Sequence, residues 1–155
     1  MVLFSQERYE DMGCGWRISP WPQFCGNMNY ERVAVTMHVL VVDDDEAFCQ
    51  LLVKILQTNE MEAEWTSDGL TAYEKALQQP YDLFILDVRM PLVLGTELTE
   101  GLKKERPDAK VILISSFADE DLQRTAAHLG VPLLSKPFTL ARLLQTTTEV
   151  LRPSA

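Results

Sequence analysis

The sequence is poor in cysteine. Its 155 residues include three cysteines, Cys14, Cys25 and Cys49, and no two of them form a C-x-x-C pair. An odd number without paired spacing argues against a disulfide framework and against a cysteine-rich zinc site. Cys49 falls within a helical pattern, where we expect it to be a small core residue.

Long apolar runs are also absent. No stretch approaches the roughly 18 apolar residues that a transmembrane helix needs. The N-terminus lacks the basic segment followed by an apolar segment that marks a secretory signal. We therefore expect a cytoplasmic protein without a membrane partner, and a chain of 155 residues fits one domain.

Positive charge is scarce. The chain has 14 Lys and Arg against 23 Asp and Glu, which gives a formal net charge of −9. A surface of this sign repels the phosphates of nucleic acids and anionic membranes, so direct binding of nucleic acid is not expected. A bound cation is the partner that this charge balance accepts most easily.

Residues 1–36 show no regular period. The stretch MGCGWRISPWPQFCGNMN mixes Gly, Pro, Cys and Trp without a repeat of 2 or 3.6 residues. We expect little regular structure before Val33. Two explanations stay open, namely an arm with a role and an upstream extension of a chain that truly starts at Met37. We assign residues 1–36 to an N-terminal arm and residues 37–152 to the folded domain.

From His38 onward, short apolar runs alternate with helical patterns. Repeated β–α units predict a doubly wound, flavodoxin-like α/β fold with a five-stranded parallel sheet in the order 2-1-3-4-5. The strands VLVV, LFILD and VILI are apolar almost throughout, as expected when helices cover both faces, whereas EAEWT alternates and is placed at an edge. The predicted strands are 38–42, 62–66, 83–87, 110–114 and 131–134, and the predicted helices are 46–58, 69–78, 96–106, 120–129 and 140–151.

Polar residues gather where the predicted strands end. Asp43 and Asp44 follow the first strand and Asp87 ends the third, beside the point where the winding reverses and ligands bind. Three crowded carboxylates repel one another unless a cation lies among them, and oxygen ligands with room for water favour Mg²⁺. Ser115 at the fourth strand and Lys136 after the fifth would suit a phosphoryl group.

Each of these residues has an ordinary structural explanation when it is taken alone. Aspartate is a favoured helix N-cap, a role that we assign to Asp45, and an aspartate that ends a strand is usually a turn former. Ser115 alone would be a small residue at a strand end, and Lys136 alone would be a solvated lysine. The combination of five suitable residues at one edge of the sheet indicates a site.

The segments VLVVDDDE, DLFILDVRMP, VILISS and LLSKPF resemble, in order and spacing, the motifs of response-regulator receiver (CheY-like) domains of two-component signalling. The resemblance covers residues 37–151. It implies that Asp87 accepts a phosphoryl group from a phosphohistidine of a sensor histidine kinase or a histidine phosphotransfer protein. It also implies Mg²⁺ bound directly by Asp44 and Asp87, through water by Asp43, and by the backbone carbonyl of Arg89.

The resemblance implies roles for two further residues. Ser115 would turn toward the phosphoryl group, and Lys136 would pair with the acceptor and then with the phosphate. Such a domain phosphorylates and dephosphorylates only itself, so it is a signalling phospho-acceptor rather than an enzyme. We expect no output domain after Leu151, and hence output to a downstream protein, or to a second phosphorylated copy, through the fourth helix, fifth strand and fifth helix.

Two departures from the family pattern bear on output. Leu133 stands three residues before the lysine, where receivers often carry an aromatic residue, and the stretch 130–136 is one residue short. Both features argue against a readout by an aromatic side chain there. The loop PLVLG after Asp87 is more apolar than the usual turn. We expect it to pack against the fourth helix, and an exposed partner patch is the alternative.

Two other functions compete with a phospho-accepting receiver. A degenerate receiver would only bind partners, but the complete set of three aspartates, a serine and a lysine argues against it. A Mg²⁺-dependent phosphatase with an aspartyl nucleophile commonly needs a second acid two residues later. Arg89 occupies that position, and an arginine cannot act as a general acid or base at neutral pH.

Overall fold

The computed structural model describes residues 36–152. The arm predicted for residues 1–36 lies, apart from Thr36, outside the described residues. Five strands and five helices alternate along the described part of the chain. The strands are β1 Met37–Val42, β2 Met61–Thr66, β3 Leu83–Asp87, β4 Val111–Ser115 and β5 Leu133–Ser135. The helices are α1 Glu46–Thr58, α2 Gly69–Gln78, α3 Gly95–Glu105, α4 Glu120–Leu129 and α5 Leu140–Leu151.

The strands form one parallel sheet in the order β2-β1-β3-β4-β5, which confirms the predicted topology. β2 is an edge strand, as its alternating pattern predicts. β1 pairs with both β2 and β3, so the winding of the chain reverses between β1 and β3. Val42 pairs with Leu86 in this reversal, and the residues that follow them, Asp43 and Asp87, therefore leave the sheet side by side.

Helices cover both faces of the sheet, and alternate strand residues supply the two core layers. The layer under α1 and α5 includes Val39, Val41, Cys49, Leu52 and Leu143. The layer under α2, α3 and α4 includes Leu40, Val42, Ala72, Leu98 and Ala126. Burial on both faces explains why β1, β3 and β4 are apolar in nearly every position, because each such side chain contributes about 1.5–3 kcal/mol when removed from water. The prediction that Cys49 is a core residue is confirmed.

The predicted bounds of three strands are wrong by one residue. β1 and β2 begin one residue earlier than predicted because Met37 and Met61 pair with each other. β4 begins and ends one residue later than predicted, since Ser115 still pairs with Ser135 and prolongs the ladder. The site residue Ser115 therefore belongs to the strand itself.

The fifth strand begins two residues later than the sequence predicts, at Leu133. α4 ends at Leu129 and is capped by Gly130, which has a left-handed backbone with φ 67°. The N–H of Val131 turns back to the carbonyl of Ala126 at 3.0 Å, which is the Schellman ending of a helix. Pro132 has no N–H to donate. Strand pairing therefore begins only after Pro132.

Helix α3 begins and ends one residue earlier than predicted. Gly95 is its first residue, and the Glu97 carboxylate accepts a hydrogen bond from the Leu94 N–H at 3.1 Å. This bond satisfies one of the free amides at the start of the helix. At the other end, Arg106 has φ −134° and lies outside the helix.

The loop PLVLG, which we expect to pack against the fourth helix, contacts the beginning of α2. Val93 packs beside Gly69 at the beginning of α2, where a Cβ on the glycine would lie 3.2 Å from the Val93 Cβ. Leu92 and Leu94 are exposed. The cause is local, because a bridge between Arg89 and Leu94 folds the loop back on itself. Among the helices of residues 36–152, none is long and apolar enough to cross a bilayer.

Candidate functional site

Three carboxylates converge at the edge of the sheet where β1 and β3 end. One oxygen each from Asp43, Asp44 and Asp87 lies within 4.8 Å of the others. The side chains of Asp43 and Asp87 are buried, while Asp44 is exposed. The cluster is therefore closed to solvent at Asp43 and Asp87 and open to solvent at Asp44.

Lys136 reaches the cluster from the chain just after β5. Its Nζ donates hydrogen bonds to Asp43 Oδ2 at 2.5 Å and to Asp87 Oδ1 at 3.1 Å. The ring centroid of Phe48 lies 4.4 Å from the same Nζ, and Phe48 packs edge-on against Phe138. The ammonium is thus held between two carboxylates and an aromatic face, which restricts where it can move.

Backbone amides orient the two buried carboxylates. Asp43 Oδ1 accepts from the Asp45 N–H at 2.9 Å, and Asp87 Oδ2 accepts from the Arg89 N–H at 3.0 Å. Each carboxylate therefore offers one oxygen to the backbone and the other to the lysine. Beneath them, the Cys49 thiol donates to the Asp43 carbonyl at 3.3 Å. Burial raises the pKa of this thiol to about 12, so it stays protonated.

The cluster is short of positive charge. Burial raises the pKa of the Asp87 carboxyl, and the charge of Asp43 raises it further, against the opposing hydrogen bond from Lys136. Burial alone would lower the pKa of Lys136, but its bonds to the two carboxylates outweigh that effect and raise it. Three carboxylates and one ammonium leave an excess of two negative charges. A set of carboxylate oxygens with this excess fits a hard divalent cation such as Mg²⁺.

Ser115 lies at the same edge of the sheet. Asp87 pairs with Ile114, so Ser115 stands one position further along the neighbouring strand. Its hydroxyl donates to the Phe117 carbonyl and accepts from the Phe117 N–H, both at 3.1 Å. The Arg89 guanidinium lies 4.8 Å from the Phe117 ring centroid. In this structure the serine hydroxyl is therefore hydrogen-bonded within its own loop. That loop contacts the loop after β3 through Phe117 and Arg89.

Gly95 lies directly against the backbone of Asp87. A Cβ on Gly95 would stand 2.2 Å from the Asp87 carbonyl oxygen and 3.0 Å from the Val88 Cα. The Gly95 N–H donates to the Val88 carbonyl at 2.9 Å. The φ of Gly95 lies outside the left-handed region. The glycine is required by close approach of two backbones rather than by an unusual conformation.

The structure brings Asp43, Asp44, Asp87 and Lys136 together and places Ser115 beside them. The predicted N-cap is confirmed, since Asp45 Oδ1 accepts from the backbone N–H of the helix at Phe48. The ligand role of the Arg89 carbonyl stays a prediction. The sequence did not reveal the contacts of Phe48 and Phe117 with charged groups of the site. Each follows a strand end by a few residues, but nothing in the local pattern of either distinguishes it from a core aromatic.

A comparison with known families agrees with this architecture. Residues 39–148 match the family model of the response regulator receiver domain. The response regulator receiver protein CpdR of Brucella abortus (strain 2308) is 31% identical over 119 residues, which cover 73% of this chain and 95% of CpdR. The chain spans 26%, 44% and 51% of the length of three other curated relatives.

Solved structures of receivers superpose on about three quarters of the chain. A CheY-like receiver domain protein from Methanospirillum hungatei JF-1 gives a TM-score of 0.72 at 27% identity, covering 75% of this chain and 94% of that one. TrrA from Thermotoga maritima, solved in complex with Mg²⁺-BeF, gives a TM-score of 0.69 at 28% identity, covering 74% and 99%. With its 2-1-3-4-5 sheet and its acidic edge, the chain belongs to the response regulator receiver domain family of two-component signalling.

Proposed function

We propose that this receiver accepts a phosphoryl group on Asp87 from a phosphohistidine, and that the modification changes its contacts with other proteins. The observation that carries the proposal is the meeting of three carboxylates with the Lys136 ammonium at the reversal of the sheet. An acceptor, a cation site and a lysine that can pair with phosphate are the parts that phosphoryl transfer to a carboxylate needs. The phosphodonor would be a sensor histidine kinase or a histidine phosphotransfer protein.

The proposed site binds Mg²⁺, with Asp44, Asp87 and the Arg89 carbonyl as direct ligands. Asp43 would act through water, as the resemblance to receivers implies. The exposed Asp44 side chain leaves room for water molecules and for a phosphoryl oxygen. When bound, the ion offsets the negative charges of the acceptor and the phosphoryl group.

In the transfer, the Asp87 carboxylate is the nucleophile and the Lys136 ammonium is the partner of the new phosphoryl oxygens. An oxygen of Asp87 attacks the phosphorus, the P–N bond to the donor imidazole breaks, and the leaving imidazole takes up a proton. The product is an acyl phosphate, which adds about −1.5 to −2 charges. Lys136 already lies between the acceptor and Asp43, so its ammonium can pair with the new oxygens without leaving the site. Water later returns Asp87 to a free carboxylate, and no external substrate is turned over.

The signal would be passed on through the loop after β4. The Ser115 hydroxyl must exchange its bonds with Phe117 for a phosphoryl oxygen, which moves the chain ahead of α4. α4, β5 and α5 follow in sequence, and β5 is the edge strand at this end of the sheet. We assign output to this face, toward a downstream protein or a second phosphorylated copy. Leu133 of β5 packs against the core, so the proposed readout does not involve an aromatic side chain there.

The experiment is incubation with acetyl phosphate, with and without Mg²⁺, followed by mass measurement of the intact protein. We expect one added phosphoryl group on the wild type and on the control Asp108→Asn, which changes an exposed aspartate outside the site. We expect none on Asp87→Asn and none without Mg²⁺. A protein that takes up no phosphoryl group would be a binding module only, and rapid multi-turnover release of phosphate would indicate a phosphatase.

A further inference from the structure

We propose that Phe48 is a positioning residue, which keeps the Lys136 ammonium beside the acceptor while a phosphoryl group is bound. This inference rests on the proposed function and adds a residue that acts through the lysine. The observation that carries it is the position of the Phe48 ring, whose centroid lies 4.4 Å from the Lys136 Nζ. An ammonium at this distance is attracted to the negative face of an aromatic ring. The attraction is stronger where water is scarce, and the Lys136 side chain is only 21% exposed.

The backbone around Phe48 fixes the ring relative to the acidic cluster. Asp43 Oδ1 accepts from the Asp45 N–H, and Asp45 Oδ1 accepts from the Phe48 N–H at 3.0 Å. The thiol of the next residue, Cys49, donates to the Asp43 carbonyl. Because Lys136 donates to Asp43 Oδ2, these contacts form a closed cycle from Asp43 through the first turn of α1 and the ring to the ammonium and back. A shift of the ring would therefore disturb the start of α1.

Packing alone does not require an aromatic residue at this position. Phe48 is half-buried at the margin of the core layer under α1 and α5, where a leucine would also be buried in part. Phe138 packs edge-on against Phe48, with ring centroids 6.1 Å apart and an interplanar angle of 80°. Phe138 lies two residues after Lys136, so the aromatic pair joins the start of α1 to the segment that carries the lysine. What a phenylalanine adds over a leucine is the negative face of its ring, and the ammonium lies over that ring.

Phosphorylation changes the other contacts of the ammonium but not this one. In the structure the ammonium donates to Asp43 and to Asp87. Once Asp87 is bonded to phosphorus it is no longer a carboxylate anion, and a bound cation competes for the charge of Asp43. The Phe48 ring takes no part in the reaction and keeps its attraction for the ammonium. We therefore expect its contribution to show when a phosphoryl group, or a mimic of one, occupies the site, and to be small with Mg²⁺ alone.

The test measures two affinities by titration calorimetry, that for Mg²⁺ alone and that for beryllofluoride, a phosphoryl mimic, in saturating Mg²⁺. Phe48→Leu should bind beryllofluoride about fivefold more weakly than the wild type, as the loss of one cation–π contact predicts. Its affinity for Mg²⁺ should match that of the wild type. Phe48→Tyr keeps the ring and should restore the affinity for beryllofluoride. A trifluorophenylalanine in place of Phe48 keeps the shape but weakens the negative face of the ring, so it should behave as Phe48→Leu does.

Trp65→Leu is the matched control, because it removes another half-buried aromatic side chain from the same core layer, on the edge strand β2. It should match the wild type in both affinities. The inference is overturned if Phe48→Leu or the trifluorinated variant binds beryllofluoride as tightly as the wild type. It is also overturned if Phe48→Leu loses affinity for Mg²⁺ by the same factor, because that result would mean a general loss of structure at the site. Failure of acetyl phosphate to modify the wild type would instead overturn the proposed function, on which the inference rests.

Discussion

Replacement of Gly95 by alanine tests how tightly α3 is set against the acceptor strand. The new Cβ would stand 2.2 Å from the Asp87 carbonyl oxygen. Carbon and oxygen atoms that are not bonded approach to about 3.3 Å, so one of the two backbones must move by about 1 Å. Neither backbone can move easily, because Asp87 belongs to a central strand and the Gly95 N–H is hydrogen-bonded to the Val88 carbonyl.

The size of the effect follows from three contributions. Overpacking in a close-packed interior costs about 1–3 kcal/mol, and a rigid backbone contact belongs at the upper end of that range. Loss of the hydrogen bond from the Gly95 N–H to the Val88 carbonyl adds about 1 kcal/mol. The better helix propensity of alanine returns up to about 1 kcal/mol. We therefore expect Gly95→Ala to lower the free energy of unfolding by about 3 kcal/mol.

Urea unfolding followed by circular dichroism measures this change, and Gly101→Ala in the same helix is the control. A Cβ on Gly101 would lie 3.4 Å from Tyr73 Cε2, an ordinary contact, so this variant should be more stable than the wild type by about 0.5–1 kcal/mol. Gly95→Ala should also slow phosphorylation by acetyl phosphate, because the acceptor is displaced. The reasoning is refuted if Gly95→Ala is as stable as the wild type.

Three further variants test the charges and caps of the fold. Without Mg²⁺, Asp44→Asn should raise the free energy of unfolding by about 1 kcal/mol, because it removes one of three like charges within about 5 Å. Addition of Mg²⁺ should stabilise this variant less than it stabilises the wild type. The Thr71 hydroxyl and amide lower the pKa of Asp68 below 3.8, so its charge contributes stability that is present above pH 3.8 and is lost as the pH falls through the lower folded value. The difference in urea stability between the wild type and Asp68→Asn should therefore be present at pH 6 and fade in acid. Asp119→Ala removes the N-cap acceptor of the Leu122 N–H and should lower the urea unfolding free energy by about 1 kcal/mol.

Each of these three predictions has a clear contrary result. A lower stability of Asp44→Asn in the absence of Mg²⁺ would mean that the carboxylates do not repel one another. A difference for Asp68→Asn that grows in acid would reverse the sign of the assigned pKa shift. An unchanged stability of Asp119→Ala would show that water caps α4 as well as the aspartate does.

Much of the fold follows from local patterns. The apolar strands and the 3.6-residue periods predict five β–α units in their correct order, and four of the five helices were located at the residue where they begin. Errors occur where a distant or capping contact decides the boundary. The start of β5 depends on the N–H of Val131 turning back to α4, and the end of β4 depends on pairing with a strand about twenty residues away.

The candidate site divides in the same way. Asp43, Asp44, Asp87, Ser115 and Lys136 could be selected from the sequence because parallel strands bring their carboxyl ends to one edge of a sheet. The sequence by itself determined the topology and which residues meet there, since hydrophobic period and strand order are encoded residue by residue. Only the tertiary structure decided that Asp43 and Asp87 share Lys136 and that the Ser115 hydroxyl is hydrogen-bonded within its own loop. It also decided that the Asp87 backbone lies against Gly95 and that Leu92 is exposed. These features depend on distances between segments far apart in the chain, and no local pattern records such distances.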